Sequence, residues 1–438
     1  MIKITKFGGS SLADKNQFQK VKTIIHSDED RRFVVVSAAG RRDKNDNKIT
    51  DLLYLCHAHT MYHVSCDPVF SIIEERFLSI KEELGLQYPI EEELAAIKKQ
   101  LHEGIPLDDL ASRGEYLTAR LMAEYLGFSF VDAKDIIRFS YDGSIDFDTT
   151  KKNCEAFMKK HENFVIPGFY GSYPDGSIHV LSRGGSDITG SILARVMNAD
   201  MYENWTDVSG ILMADPRIVH HPKRIDKITY SELRELSYMG ANVLHEDAIF
   251  PVKEKNIPIN ILNTNHPEAS GTIIVDTDDD PSSNKQIITG IAGKKDFSVI
   301  AIYKNHMSNE IGIIRRALEV FEKYQISIEH IPSGIDSFSV VVNSSDIQNN
   351  KYDIVSDIKK ACGCDAVKII DNIALIATVG RHMSYRPGIS GRLFQVLGEN
   401  EINIRMIAQG SEEINIIVGV ENKDFEKTIA VIYENFVV

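Results

Sequence analysis

The sequence predicts an α/β protein: a mostly parallel sheet covered by helices, followed by two small α+β modules. Three observations carry this expectation. The chain opens strand, glycine turn, helix, strand, and the second strand, Phe33-Val34-Val35-Val36, is apolar throughout, as a strand buried on both faces must be. A polar, acidic, proline-bearing stretch, Asp276 to Asn284, lies between apolar flanks and reads as a linker. Beyond it, a strand-helix-strand-strand pattern occurs twice, with the helix-opening glycines Gly312 and Gly388 in register.

In chain order, Met1 to Phe7 alternates as a strand, Gly8-Gly9-Ser10-Ser11 turns, and Phe18, Val21 and Ile25 recur at helical spacing. The second strand ends at Ala38-Ala39-Gly40, and residues 51–125 are helical in pattern. Phe164 to Gly168 is a strand, Pro174-Asp175-Gly176 turns a hairpin that returns through Ile178 to Leu181, and Ser186 to Asn198 is a helix. The first repeat copy comprises strand Phe297–Tyr303, helix Ile311–Tyr324 and strands Ile326–Ile331 and Ser337–Val342. The second comprises strand Ile373–Val379, helix Ile389–Glu399 and strands Ile402–Ile407 and Glu413–Val420. After its last helix, Phe425 to Glu434, too few residues remain for a closing strand, whereas Ile287 to Ala292 is a spare one. The first module is therefore expected to be inserted into the second, giving domains at 1–280, 297–371, and 287–293 plus 373–438.

Lys plus Arg number 49 and Asp plus Glu 63, a net charge of −14, which argues against nucleic acid or an anionic membrane as the main partner. No apolar run approaches the roughly 18 residues of a spanning helix. Glycines interrupt the first residues too soon for a signal-peptide core, and the five cysteines show no framework spacing. Reduced cysteines and a cytoplasmic location are expected.

Three motifs could carry chemistry. Lys6-Phe7-Gly8-Gly9-Ser10-Ser11 places a lysine before two glycines at a strand-to-helix turn, where backbone N–H groups and a helix N-terminus can cradle an anion. The lysine could stabilise charge on a transferring phosphoryl group. Ser182-Arg183-Gly184-Gly185-Ser186-Asp187 repeats that logic, with Arg183 for a carboxylate or phosphate. Trp205-Thr206-Asp207-Val208-Ser209-Gly210, leading to Asp215-Pro216-Arg217, looks like a nucleotide-side loop. Plain tight turns and a solvated arginine are the competing structural readings.

Together, in this order over essentially the whole chain, these motifs and the tandem tail modules resemble the aspartokinases, and the modules resemble ACT domains. The resemblance implies an amino-acid-kinase-like fold followed by two ferredoxin-like βαββαβ modules. It implies phosphorylation of L-aspartate by ATP with Mg²⁺ to 4-phospho-L-aspartate, the first step towards lysine, threonine and methionine, with no tightly bound cofactor and no metal site in the protein. By motif, Lys6 and Asp187 are catalytic. Gly8, Gly9, Ser10, Gly184, Gly185, Thr206, Asp207 and Arg217 lie on the phosphate and nucleotide side, and Ser37, Thr50, Glu115 and Arg183 bind aspartate. Met307, Ser327, Ile328 and Glu329 match the effector site of lysine-sensitive members; the charge of Glu329 favours lysine over threonine as feedback inhibitor. Pairing of module edges implies a homodimer or a dimer of dimers.

The chain departs from the family pattern in places. Asn242 in Gly240-Ala241-Asn242-Val243-Leu244-His245 replaces a common lysine, Leu212 a common tyrosine, and a charged insertion, Arg41 to Lys48, precedes Thr50. Asn242 is what would favour a catalytically impaired amino-acid-binding regulator; a kinase of a related acidic amino acid such as glutamate is the other alternative. Cys56, His59, His63 and Cys66 recur at helical spacing, but on one helix they would span about 15 Å, too far for one tetrahedral ion.

Overall fold

The computed structural model describes all of the chain except Arg183, Asn242, Val243, His245, residues 278–286, Tyr385, Ser411 and Val438. It divides into two compact units, residues 1–211, 224–230 and 243–278, and residues 212–223, 231–242 and 279–438. Most of the expected linker falls outside the described residues.

The first unit begins with β1 (Lys3–Phe7), α1 (Lys15–His26) and β2 (Phe33–Val36), the order expected from the apolar pattern. The helical region follows as α2 (Ile49–Met61), α3 (Asp67–Leu84), α4 (Ile90–Glu103), α5 (Leu107–Ala111) and α6 (Arg113–Leu126). Next come β3 (Ser129–Phe130), α7 (Ala133–Ile136), α8 (Phe147–Met158), β4 (Phe164–Pro167), the hairpin β5 (Tyr170–Ser172) and β6 (Ile178–Val180), α9 (Gly185–Val196) and β7 (Met201–Thr206). The unit closes with β8 (Lys227–Thr229) and, after α10 (Tyr230–Tyr238), with α11 (Phe250–Lys253), β9 (Ile259–Asn263) and β10 (Thr272–Val275).

Eight of these strands form one sheet in the order β3-β4-β2-β1-β7-β9-β10-β8. Every pair from β3 to β9 is parallel, and β10 runs antiparallel to β9. All four residues of β2 are buried, as an interior parallel strand requires. Core side chains from α1, α3, α4 and α6, including Phe18, Phe70, Phe77, Leu94 and Met122, form a continuous cluster with Val34, Val36 and Trp205. The helix carrying Cys56 and His59 ends at Met61, so His63 and Cys66 lie beyond it and share no helical face with them.

The second unit contains β11 (Gly290–Tyr303), α12 (Ile313–Lys323), β12 (Ser337–Asn343), α13 (Ser344–Ile347), α14 (Lys351–Cys362), β13 (Ala366–Val379), α15 (Ile389–Glu399), β14 (Met406–Ala408), β15 (Asn415–Glu421) and α16 (Phe425–Phe436). Its antiparallel sheet has the order β12-β11-β13-β15-β14. Here the structure departs from the expected strands. Of the spare strand Ile287–Ala292, only Gly290–Ala292 enters a strand, continuous with Phe297–Tyr303 as β11, with irregularities between Lys294 and Phe297 and between Phe297 and Val299. Its start, Gly290–Lys294, pairs with Leu375–Val379, which also pairs with β15; its end pairs with β12. Ile326–Ile331 forms no strand, only a bridge from His330 to Val341, and a second bridge, Ser333 to Phe338, follows it. Of Ile402–Ile407, only the last two residues enter β14. No helix among the described residues is long and apolar enough to cross a membrane.

Candidate active site

Because β2, β1, β7 and β9 run parallel, the loops after their carboxyl ends open along one sheet edge, where open α/β sheets bind ligands. The register sets Lys6 of β1 beside Asn204 of β7. Both reach Asp187 in the first turn of α9: Lys6 Nζ lies 2.5 Å from Asp187 Oδ1, and Asn204 Nδ2 donates to the same oxygen at 2.9 Å. The Tyr202 hydroxyl donates to the Asp187 carbonyl, fixing the turn from below. Lys6 is 7 % exposed, a burial that a lysine tolerates only when paired.

Two glycine turns flank this pair. Gly8 N–H donates to the Trp205 carbonyl, and Gly9–Leu12 makes a single 3₁₀ turn with Ser10 exposed. Gly9 and Gly40 lie back to back, Gly40 N–H donating to Gly9 O at 2.9 Å; a Cβ on Gly40 would sit 2.4 Å from the Gly9 carbonyl carbon. On the facing turn, Gly184 caps α9 with φ +79°, a conformation that favours glycine, and its carbonyl accepts from Asp187 N. Arg183 lies outside the described residues.

Glu115 projects from the first turn of α6, beside the loop after β2. Helix and loop approach closely: a Cβ on Gly114 would lie 2.9 Å from that of Ala38, and Ala39 N–H donates to Thr118 Oγ1. Glu115 is 5 % exposed, and its Oε2 has no hydrogen-bond partner among the described residues. Burial pushes its carboxyl up to about 8, only partly offset by hydrogen bonds from the Ala38 and Glu115 backbone. A buried carboxyl group with no cation beside it among the described residues is suited to receive one from a ligand. Ser37, whose N–H donates to Phe7 O, is half-buried after β2, and Thr50 stands in the first turn of α2.

Thr206 ends β7 and donates to the exposed Asp207. Arg217 belongs to the second unit, where its guanidinium forms a two-pronged pair with Asp215. Also in that unit, buried Met307 opens a 3₁₀ turn after β11 and packs in a core that includes Ile326, with Ile328 against it. Ser327 is exposed, and Glu329 accepts a 2.5 Å hydrogen bond from the Tyr238 hydroxyl.

Sequence reasoning missed Asn204, whose signal is a polar side chain in an otherwise buried strand. It also missed Thr264, which exchanges a 2.8 Å hydrogen bond with Ser11, and Phe169, held at φ +78° with its N–H donating to Thr189.

Residues 1–263 match the amino acid kinase family, and residues 376–436 match an ACT domain. Aspartokinase 3 of Bacillus subtilis is 35 % identical over 99 % of this chain and 98 % of its own length. The lysine-sensitive aspartokinase 3 of Escherichia coli is 26 % identical over 99 % of both chains. The crystal structure of Clostridium acetobutylicum aspartate kinase superposes with a TM-score of 0.93 at 50 % identity, covering 99 % of each chain. With a parallel sheet whose carboxyl edge carries the paired Lys6 and Asp187, and an ACT-bearing antiparallel sheet behind it in sequence, the chain belongs to the amino acid kinase family, among the aspartokinases.

Proposed function

We propose that the chain transfers the γ-phosphoryl group of MgATP to the side-chain carboxylate of L-aspartate, giving 4-phospho-L-aspartate and ADP. The observation that carries this reading is Lys6, held by Asp187 and Asn204 between two glycine turns at the carboxyl edge of the sheet. The aspartate carboxylate is already ionised at neutral pH, so its oxygen attacks the γ-phosphorus as the bond to ADP breaks, without a general base. Lys6 neutralises charge growing on the transferring group, and Asp187 fixes the ammonium. Backbone N–H groups of Gly9, Ser10, Gly184 and Gly185 hold phosphate oxygens, Gly8 lets the turn approach closely while its own N–H stays on the Trp205 carbonyl, and Thr206, Asp207 and Arg217 lie on the nucleotide side. Glu115 takes the substrate ammonium, Arg183 grips the α-carboxylate with its planar fork, and Ser37 and Thr50 line the aspartate pocket. Mg²⁺ enters with the nucleotide.

Feedback inhibition by an end-product amino acid completes the reading. Escherichia coli aspartokinase III is known in complex with lysine and aspartate in a T-state, at 25 % identity to this chain and a TM-score of 0.76. Met307, Ser327, Ile328 and Glu329 form the effector segment here, with lysine as the ligand. The modules at 297–371 and at 287–293 plus 373–438 assemble a homodimer or a dimer of dimers.

A coupled assay with MgATP and L-aspartate, with L-glutamate in parallel, tests the reaction. ADP release with aspartate at least a hundredfold faster than with glutamate is expected. A preference for glutamate, or nucleotide binding without turnover, would replace the reading with one of the two alternatives.

A further inference from the structure

Arg76, on α3, is 1 % exposed, one of the most deeply buried side chains of the first unit. Burying a guanidinium is costly, and such groups are retained only with a charge partner and satisfied hydrogen bonds. Arg76 has a charge partner and a hydrogen bond on each terminal nitrogen, while its Nε finds no partner among the described residues, and neither partner is on its own helix. One terminal nitrogen donates to the Gly40 carbonyl at 2.6 Å, and the other pairs with Asp46. Asp46 sits in the charged insertion, Arg41 to Lys48, and also accepts from the Arg42 backbone and side chain and from Asn47 N–H. Burial alone would raise its carboxyl, but these bonds and the guanidinium outweigh it and hold the carboxyl down at about 2.

The chain of contacts continues inward. The Gly40 carbonyl held by Arg76 belongs to the residue whose N–H donates to Gly9 O. Gly40 has no room to slide, since any Cβ there would strike the backbone of Gly9 and Ser10. Gly9 in turn follows Gly8, where a Cβ would lie 3.5 Å from Lys6 Nζ. Asp46, Arg76, Gly40 and Gly9 therefore form one continuous run from the surface insertion to the glycine turn beside the paired lysine.

We propose that Asp46 and Arg76 are positioning residues for the phosphoryl-transfer step: the insertion is an anchor that sets the Gly9 turn through the Gly40 carbonyl. This rests on the reading that the Gly8–Ser10 turn holds phosphate. Phosphoryl transfer is governed by placement, and displacement of about 1 Å by a mutation remote from the chemistry can cost roughly a hundredfold in rate. Arg76→Lys is not equivalent, because a point charge cannot serve both the carbonyl and the carboxylate in the geometry of the fork.

The test uses the full chain carrying Asp46→Asn, which removes the charge at the rim, with Arg76→Lys as the second variant. Two readouts are taken: steady-state kinetics, and native-state hydrogen exchange of peptides covering residues 7–14 and 37–41. Expected are a 10- to 100-fold fall in kcat, KM for ATP and aspartate within threefold of wild type, and at least tenfold faster exchange confined to the two peptides. Unchanged exchange, faster exchange with unchanged kcat, or exchange accelerated throughout the first unit would each overturn the positioning role. Wild type that does not turn over aspartate refutes the proposed reaction instead; the exchange change in Asp46→Asn, confined to the two peptides and with MgATP affinity by calorimetry within threefold of wild type, then supports the anchor separately, and its absence overturns it.

Discussion

Lys6 Nζ lies 2.5 Å from Asp187 Oδ1, and the same oxygen receives the Asn204 amide. The lysine is thus fixed before any ligand arrives, which is what a group acting on a transition state requires. Lys6→Ala is expected to lower kcat by roughly 10²–10³, the loss typical of one electrostatic donor, with little change in either KM. A kcat within threefold of wild type would show that the ammonium does not act on the transferring group.

Glu115 gives a pH signature. Its carboxyl is raised to about 8 by burial, so at pH 7 the unliganded protein holds it mostly protonated. A substrate ammonium beside it favours the ionised form, so binding expels a proton and weakens as pH falls below about 8. KM for aspartate should rise roughly 5- to 10-fold between pH 8.5 and pH 7, with a proton released on binding that calorimetry in two buffers detects. The stability sign runs the other way: a raised carboxyl favours the folded state fully below pH 4.5 and loses that contribution as pH rises through 8. Glu115→Gln should therefore stabilise the unliganded protein at pH 8.5, by at most roughly 4–5 kcal/mol, and hardly at all near pH 4. A KM independent of pH over this range would remove Glu115 from the ammonium site.

Glycine substitutions should split by what a new Cβ meets. At Gly40 it meets Gly9 backbone at 2.4 Å, so Gly40→Ala must move the turn and should destabilise by roughly 1–3 kcal/mol while lowering kcat. At Gly391, within α15, it meets nothing within 4 Å and φ is not in the left-handed region, so Gly391→Ala should stabilise by roughly 0.5–1 kcal/mol. Urea unfolding of both variants checks the opposite signs.

What the sequence made legible follows local chemistry. An all-apolar β2 announces an interior strand, and Lys6 and Asp187 announce themselves beside glycine pairs. Ile326–Ile331 has the alternation of a strand, yet Ile326 and Ile328 are used to fill the core of α12 and α14, and Pro332, which has no N–H, stands where the ladder would continue. Asn204, Arg76 and Asp46 were illegible because their partners are set by register and helix packing: 17 positions separate Asn204 from Asp187, and 30 separate Asp46 from Arg76. A charged run such as Arg41 to Lys48 reads as solvated surface until the buried arginine it serves is seen.

The proposed effector segment permits a prediction with two arms. Tyr238 donates to Glu329 Oε2 at 2.5 Å, and burial together with this bond pushes the tyrosine up to about 12, so it remains a donor at any physiological pH. If Glu329 receives the lysine side chain, the Tyr238 hydroxyl competes for the same carboxylate. An effector shifts an equilibrium only by binding one state better, and a tenfold preference, about 1.4 kcal/mol, is the least that makes a useful switch. Glu329→Ala should raise the lysine concentration for half-inhibition at least tenfold, since it removes the charge that selects a cation. Tyr238→Phe should lower it severalfold, since the carboxylate loses its resident donor and must find another. Assays at subsaturating aspartate with millimolar lysine, threonine or both measure these shifts. Full activity in lysine with inhibition by threonine alone would reassign the effector, and a Tyr238→Phe variant less sensitive to lysine would mean that the tyrosine supports the bound state instead of opposing it.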